Sequence, residues 1–404
     1  MTTIIPLARR GRITVAIVLI AIILICASAV RFSQSASPGS PHALTDFDAF
    51  HIAGRLAAHG RLADAYDARS FFLEQRRVSG TPSFMPWTYP PPFTAFAQGL
   101  SLLPIGMSYA LFAGLSFAFY LIVLRRICGE YLPGALIAVA PVIIINLRTG
   151  QNGFLISGLI GAFLLAAFGE RDQRAGAILG VLIIKPHLAF SIGIIALWRR
   201  SIGLVAMAAT IAVLLIGLVT WFYGAGIWSL FFSAMREATG FLQSGYYQLF
   251  RMSSVYATLF SFGLSSAAAM AGQALCAGGA LMLFGFALKR GMPTRYIAAL
   301  ACICAVLVSP YCYDYDLAIL GIGIAFIIPD LLARAGPGEL ACLTGLTWFA
   351  GGYGLATKVV MEKLVDTGVA GSELSTSPTA PALIAPALLA ACLWSAMLLR
   401  RERR

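Results

Sequence analysis

Acidic residues are scarce in this chain, 17 Asp and Glu among 404 residues, and charged residues of both signs make up only 11% of it. A soluble protein of this length needs a well-solvated surface, and 59% hydrophobic residues with a mean hydropathy of +0.84 leave too little for one. Ten-residue segments of alternating polarity are missing, which excludes a membrane β-barrel. Also missing is a cluster of His and Cys at metal-ligand spacing, because the close trio Cys302, Cys304 and Cys312 has no such partners. Basic residues are more plentiful, 29 Lys and Arg for a net charge of +12. They form no nucleic-acid patch. They stand in pairs at the ends of apolar runs, as Arg9-Arg10, Arg125-Arg126, Arg199-Arg200, Lys289-Arg290 and Arg400-Arg401, where they mark cytoplasmic ends of spans. What remains is an all-α polytopic membrane protein, expected as one integral membrane domain over residues 1–404.

With basic ends in the cytoplasm, the first span over residues 13–31 runs outward. It reads as an uncleaved anchor, since its apolar stretch exceeds the ~7–15 residues of a signal core. Residues 32–93 then form a first extracytoplasmic loop with a Ser37–Ser40 turn and short interfacial helices, one of them amphipathic over Ile52–Ala65. Spans follow over 94–124, 132–147 and 154–168, with Arg148–Gly153 as an external turn. Residues 175–184 and 188–198 are short for independent spans, so Lys185-Pro186-His187 between them predicts a broken helical pair. The remaining spans are 203–223, 266–288, 296–308, 317–334, 338–357 and 381–399, roughly twelve crossings with both termini in the cytoplasm.

This topology gathers Asp46, Asp48, Tyr89, Arg148, Gln151, Asn152, Lys185, His187, Tyr313, Asp314 and Asp316 at the external side, from five segments far apart in sequence. Ionisable residues near a membrane interior are costly unless paired or in a wet cavity, so their default reading is functional. Each has a plainer alternative. Asp46 could cap the following helix, His187 could be an interfacial histidine, and Tyr89–Pro92 could be a rigid re-entry turn. Lys185 could snorkel to the headgroups, and Asp314 and Asp316 could pair with Arg148 or Lys185. The joint occurrence weighs more than any one of them.

Asp-Phe-x-x-Phe-x-x-Ala-Gly at 46–54, Gly60 followed by Ala65-Tyr66-Asp67, Tyr-Pro-Pro-Pro at 89–92, Gly-Gln-Asn-Gly at 150–153, Lys-Pro-His at 185–187 and Ser-Pro-Tyr with Tyr-Asp at 309–316 resemble glycosyltransferase family 87. The resemblance covers residues 40–320 and rests on the order and spacing of these motifs. It implies a GT-C-type helical bundle similar to the polyprenyl-phosphate-mannose-dependent mannosyltransferases. It also implies a multi-pass protein of the plasma (inner) membrane, serving the cell envelope, with its active site outside. The family's catalytic acid matches Asp46, whereas Asp48 falls at a position the family varies. Some relatives carry histidine after the Ser-Pro pair, where this chain has Tyr313, Asp314 and Tyr315.

Sugar transfer from a lipid phosphate needs a carboxylate to take the acceptor's proton and cations to hold the leaving phosphate. Asp46 fits the first role. Lys185, Arg148 and His187 fit the second, with Gln151 and Asn152 hydrogen-bonding sugar or phosphate. No nucleotide-binding glycine loop is present, which suits a lipid-linked donor used as substrate, with no cofactor and no metal. Gly176…Gly180 and Ser157…Gly161 read as helix packing. The partners expected are a polyprenyl-phosphate-linked sugar, a lipid or glycan acceptor and membrane lipids, with no nucleic acid. The competing class is a secondary transporter or flippase for a lipid-linked or anionic substrate, whose site would lie near the midplane, often with internal repeats.

Overall fold

A computed structural model describes residues 7–35, 42–366 and 380–402, so the expected Ser37–Ser40 turn lies outside the described residues. Helices account for nearly all regular structure, and the only β pairing among the described residues is the isolated antiparallel bridge of Met252 with Tyr313. Five stretches are long and apolar enough to cross a membrane alone: Gly11–Gln34, Ile105–Ala138, Ile202–Tyr223, Ser266–Lys289 and Asp314–Arg334. Five shorter apolar helices of 10–17 residues stand beside them. The helix Ile202–Tyr223 exposes Val213, Leu214, Leu218, Trp221 and Phe222 while burying only Leu204 and Val219. That distribution suits a lipid environment.

The centre of the bundle is the trio Ile105–Cys128, Gly153–Phe168 and Ala318–Arg334. Tyr120 is fully buried and donates to the Ala318 carbonyl at 2.9 Å, and a Cβ at Gly161 would stand 2.5 Å from Val123 and 2.9 Å from Ile322. The expected packing role of Gly161 is thus visible as a three-helix contact. At the end of the bundle that carries Arg295 and Arg334, buried Asp330 joins both arginines.

Two expected spans are broken. Residues 94–124 are not one helix but two, Pro91–Ser101 and Ile105–Cys128, because Pro104 removes a backbone donor inside the apolar run. Likewise 132–147 divides into Leu132–Ala138 and Ala140–Thr149 at Val139, two residues before Pro141. The break at Lys185-Pro186-His187 is where the sequence places it. Asp172–Val181 continues into a 3₁₀ turn, Leu182–Ile184, and Pro186 opens the next helix, Pro186–Trp198. Asp172 accepts from Arg199 at 3.0 Å and also from Ser201. The pair is therefore a hairpin with a closed base and Lys185 at its tip.

Residues 42–90 carry the short helices Asp46–Ala58, Leu62–Tyr66 and Ala68–Ser79. Phe47 of the first touches Tyr109, with ring centroids 5.4 Å apart, near the start of Ile105–Cys128. Arg125 and Arg126 lie in the last turn of that same helix, about 24 Å further on at 1.5 Å per residue. Asp46 and the arginine pair are therefore at opposite ends of the bundle.

Gly176 and Gly180 carry the contact between the hairpin and Ile202–Tyr223: a Cβ at Gly176 would meet the Leu204 carbonyl at 2.4 Å, and one at Gly180 would meet the Ala208 carbonyl at 2.7 Å. Gly176→Ala is expected to cost about 1–3 kcal/mol through this overpacking. Gly193→Ala, where a Cβ meets open space, is expected to cost nothing, and thermal unfolding of the two purified variants compares them.

Candidate active site

Thr45-Asp46-Phe47-Asp48 builds its own helix start. Thr45 is the N-cap, and Asp48 accepts from the Thr45 backbone N–H at 2.7 Å and from its hydroxyl at 3.0 Å, closing a capping box with Asp in the third position. Asp48 is buried there, and burial pushes its carboxyl above the ordinary aspartate value against the opposing pull of the Thr45 hydrogen bonds. The cap occupies Asp48, the second acid that the sequence placed at the external side beside Asp46. Asp46, one residue into the helix, is released from capping and keeps its side chain 20% exposed.

The rest of the helix holds Asp46 in place. Phe47, Phe50 and Ala53 are fully buried, with Phe50 packed edge-on against Phe93 at 5.1 Å and against Tyr89 at 5.3 Å. A Cβ at Gly54 would sit 2.2 Å from the Ala97 carbonyl, so the helix Pro91–Ser101 approaches here only because the residue is glycine. The Asp-Phe-x-x-Phe-x-x-Ala-Gly spacing is thus one helical face anchoring the acid at its first turn.

Asp46 faces Arg251, whose guanidinium is 3.8 Å from Asp46 Oδ2. Arg251 is itself buried and held by Asp314 through two bonds of 3.0 Å, Nε to Oδ2 and Nη2 to Oδ1. Burial alone would lower the arginine's affinity for its proton, but Asp314 and Asp46 outweigh it and raise that affinity. A side chain at Gly354 would begin 2.4 Å from Asp314 Oδ2 and 3.2 Å from Arg251 Cα, so the helix Pro337–Asp366 packs on this pair through a bare backbone.

A second buried pair lies two residues along. Lys185 Nζ donates to Asp316 Oδ1 at 2.6 Å and to Asn152 Oδ1 at 3.0 Å. The rings of Tyr313 and Tyr315 stack at 5.6 Å with 5° between planes, Arg251 lies 5.8 Å over Tyr313, and Lys185 lies 4.9 Å over Tyr315. Two cations therefore bracket two tyrosines, and each cation also binds the aspartate that follows the ring it covers. Tyr89 donates to Gln151 Oε1 at 3.1 Å. Burial pushes its hydroxyl well above the usual tyrosine value, and the carboxylates of Asp316 and Asp46 push it further. It stays protonated and is a donor.

The structure brings together Asp46, Tyr89, Gln151, Asn152, Lys185, Tyr313, Asp314 and Asp316, but it distributes their roles differently from the sequence reading. Lys185, expected as a phosphate ligand, is buried and neutralised by Asp316. Gln151 and Asn152 are also buried, holding Tyr89 and Lys185, and Asn152 Nδ2 has no hydrogen-bond partner among the described residues. Arg148 is exposed at the end of Ala140–Thr149, with its carbonyl accepting from Arg31 at 3.2 Å. No contact joins its side chain to Asp46 among the described residues. His187 lies at the hairpin tip, where desolvation by its surroundings and the nearby Lys185 lower its imidazole to about 3, so it is a neutral donor and not the cation expected. Cys304 and Cys312 are buried free thiols.

Arg251 is the residue that sequence reasoning missed. Its signal was an arginine set among apolar neighbours, Leu249-Phe250-Arg251-Met252, in an external segment. The cation beside Asp46 is this one, in place of the Lys185, Arg148 or His187 that the sequence offered. The site then holds three carboxylates, Asp46, Asp314 and Asp316, against two cations, Arg251 and Lys185. Asp46 is the acid left over.

Fold and site together define a helical membrane protein with a charged, aromatic-lined cluster at one end of its bundle. The profile of glycosyltransferase family 87 matches residues 87–310, more than half of the chain. The chain belongs to that family and is a membrane glycosyltransferase. The matched segment contains Tyr89, Arg148, Gln151, Asn152, Lys185, His187 and Arg251, while Asp46 and Tyr313–Asp316 flank it. No curated protein and no solved structure matches the chain.

Removing one partner of a buried pair strands the other charge, at a cost of about 3–5 kcal/mol. Lys185→Met is therefore expected to destabilise the protein by that order, and the paired change Lys185→Met with Asp316→Leu by much less. Unfolding of detergent-purified variants in a double-mutant cycle measures both.

Proposed function

We propose that this glycosyltransferase moves a hexose, with mannose the first sugar to test, from a polyprenyl-phosphate carrier to an extracytoplasmic lipid or glycan acceptor, using Asp46 as general base. The observation that carries this reading is the state of Asp46: excused from capping by Thr45 and Asp48, part-exposed, and in excess over the cations of a buried cluster. A carboxylate so placed can take a proton from an attacking hydroxyl. As the proton passes to Asp46, the acceptor oxygen bonds to the anomeric carbon, the bond from that carbon to the phosphate oxygen breaks, and the lipid phosphate leaves with the electron pair. Because Lys185 already has two partners, the leaving phosphate is assigned to the exposed Arg148 and His187. Tyr89 and Tyr313, both part-exposed, supply the aromatic edge for the sugar.

The position of Arg125-Arg126 at the far end of the bundle supports a topology with the site on the side opposite the cytoplasm, which we assign to the plasma membrane with both termini cytoplasmic. The family membership favours an enzyme over a transporter.

Asp46→Asn keeps the side chain's shape and loses its basicity. Transfer of radiolabelled sugar from polyprenyl phosphate to membrane acceptors is expected to fall by ~10²–10⁴, the usual contribution of a positioned base, with melting temperature unchanged. A nucleotide-linked sugar is expected to give no product with either protein. Near-parental transfer by the Asn variant overturns the base assignment, and activity from the nucleotide sugar overturns the donor.

A further inference from the structure

Arg251 is the cation nearest to Asp46, yet it is not free to act on it alone. Two 3.0 Å bonds commit its Nε and Nη2 to Asp314, whereas Asp46 Oδ2 stands 3.8 Å away, too far for a hydrogen bond and close enough for an ion pair. A guanidinium bonded directly to Asp46 would hold the carboxylate firmly but leave it a poor base. No cation at all would leave it free to turn and beside the negative Asp314. The observed arrangement lies between these extremes.

Resting on the assignment of Asp46 as the base, we infer that Arg251 is its positioning residue and that Asp314 sets how strongly Arg251 acts. Asp46 Oδ2 is fixed toward the guanidinium, and Oδ1 is left to receive the acceptor's proton. Asp314 takes two hydrogen bonds from the guanidinium, so Arg251 orients Asp46 from 3.8 Å without bonding to it directly. Asp314 can do this because it is fully buried and because Gly354 allows the helix Pro337–Asp366 to close over the pair. The order is base, arginine, buried acid. Arg251 binds neither donor nor acceptor, which separates it from Arg148 and His187.

The inference gives opposite signs for two substitutions. Arg251→Met removes the attraction between the guanidinium and Asp46, so the acid limb of the kcat/KM profile is expected to move to higher pH. Asp314→Asn frees Arg251 to act fully on Asp46, so the limb is expected to move to lower pH. Each shift is about one pH unit, the low end for a charge within 4–6 Å. The other groups acting on Asp46, namely Asp316, Tyr89, Tyr313 and Tyr315, are the same in both variants. Arg251→Lys keeps the charge and is expected to hold the limb at its parental position. It serves in place of Arg251→Met if that variant does not fold, with Asp314→Asn then read against it. KM for the donor is expected to stay at its parental value in every variant while kcat falls.

Limbs displaced in opposite directions, with donor KM unchanged, support the inference. Arg251→Met and Asp314→Asn limbs that coincide with the parent, or that move together, reduce Arg251 and Asp314 to a structural pair and overturn it; where Arg251→Lys stands in, an Asp314→Asn limb at lower pH supports the inference and one at the parental position overturns it. Asp46→Asn run alongside separates the two levels. If it abolishes transfer while the limbs coincide, the base stands and the positioning role falls. If it transfers at the parental rate, the base assignment itself has failed.

Discussion

Two buried ion pairs on one short segment organise this end of the protein. Asp314 and Asp316 alternate with Tyr313 and Tyr315, and each aspartate holds a cation brought from elsewhere: Arg251 from the turn Leu249–Arg251 and Lys185 from the hairpin tip. Charges this deep are tolerated only with close partners and with the remaining donors and acceptors satisfied. Here Tyr315 N–H donates to Asp314 at 2.9 Å and Tyr313 N–H to Asp316 at 3.2 Å. The pairs therefore fix the segment, and the segment fixes the hairpin tip, the turn and the start of Gly153–Phe168. The bridge between Met252 and Tyr313 and the bond from Ser253 N–H to the Cys312 carbonyl at 2.8 Å complete the join.

The chemical consequence is a rigid floor under a less constrained acid. Asp314 and Asp316 are spent on structure, and Asp48 is spent on the cap. Only Asp46 reaches the surface of the cluster, and it is carried by a helix whose Phe47 and Phe50 are locked in an aromatic core. A general base must be held in place and must also stay basic. On the proposed assignment separate residues meet these demands, the helix and Arg251 for position and Asp314, through its pair with Arg251, for charge balance.

Much of this was legible in the sequence, for identifiable reasons. Asp46 stood out because acids are rare in so apolar a chain, and Lys185-Pro186 announced a break because proline cannot continue a helix. The two further breaks, at Pro104 and before Pro141, carried the same signal. They were read through because a continuous apolar run looks alike whether or not the backbone changes direction within it. The division of labour among the acids was less accessible. Asp46 and Asp48 differ by two positions, and the capping box assigns the second of them to Thr45. Which aspartate takes Lys185 and which takes Arg251 depends on tertiary approach across 131 and 63 residues. Local pattern does not carry such pairings, so Lys185 looked like a phosphate ligand and Arg251 like one more external arginine.

The central claim is that Asp46 stands at the reacting end of a lipid-linked sugar. A structure of the Asp46→Asn variant with polyprenyl-phosphate mannose bound tests it most directly, because loss of the base lets the donor persist uncleaved. The account predicts the anomeric carbon between residue 46 and the donor phosphate, with the sugar against Tyr89 and Tyr313 and the phosphate turned toward Arg148 and His187. A sugar bound at the Arg125 end of the bundle, or a phosphate seated between residue 46 and Arg251, would contradict it.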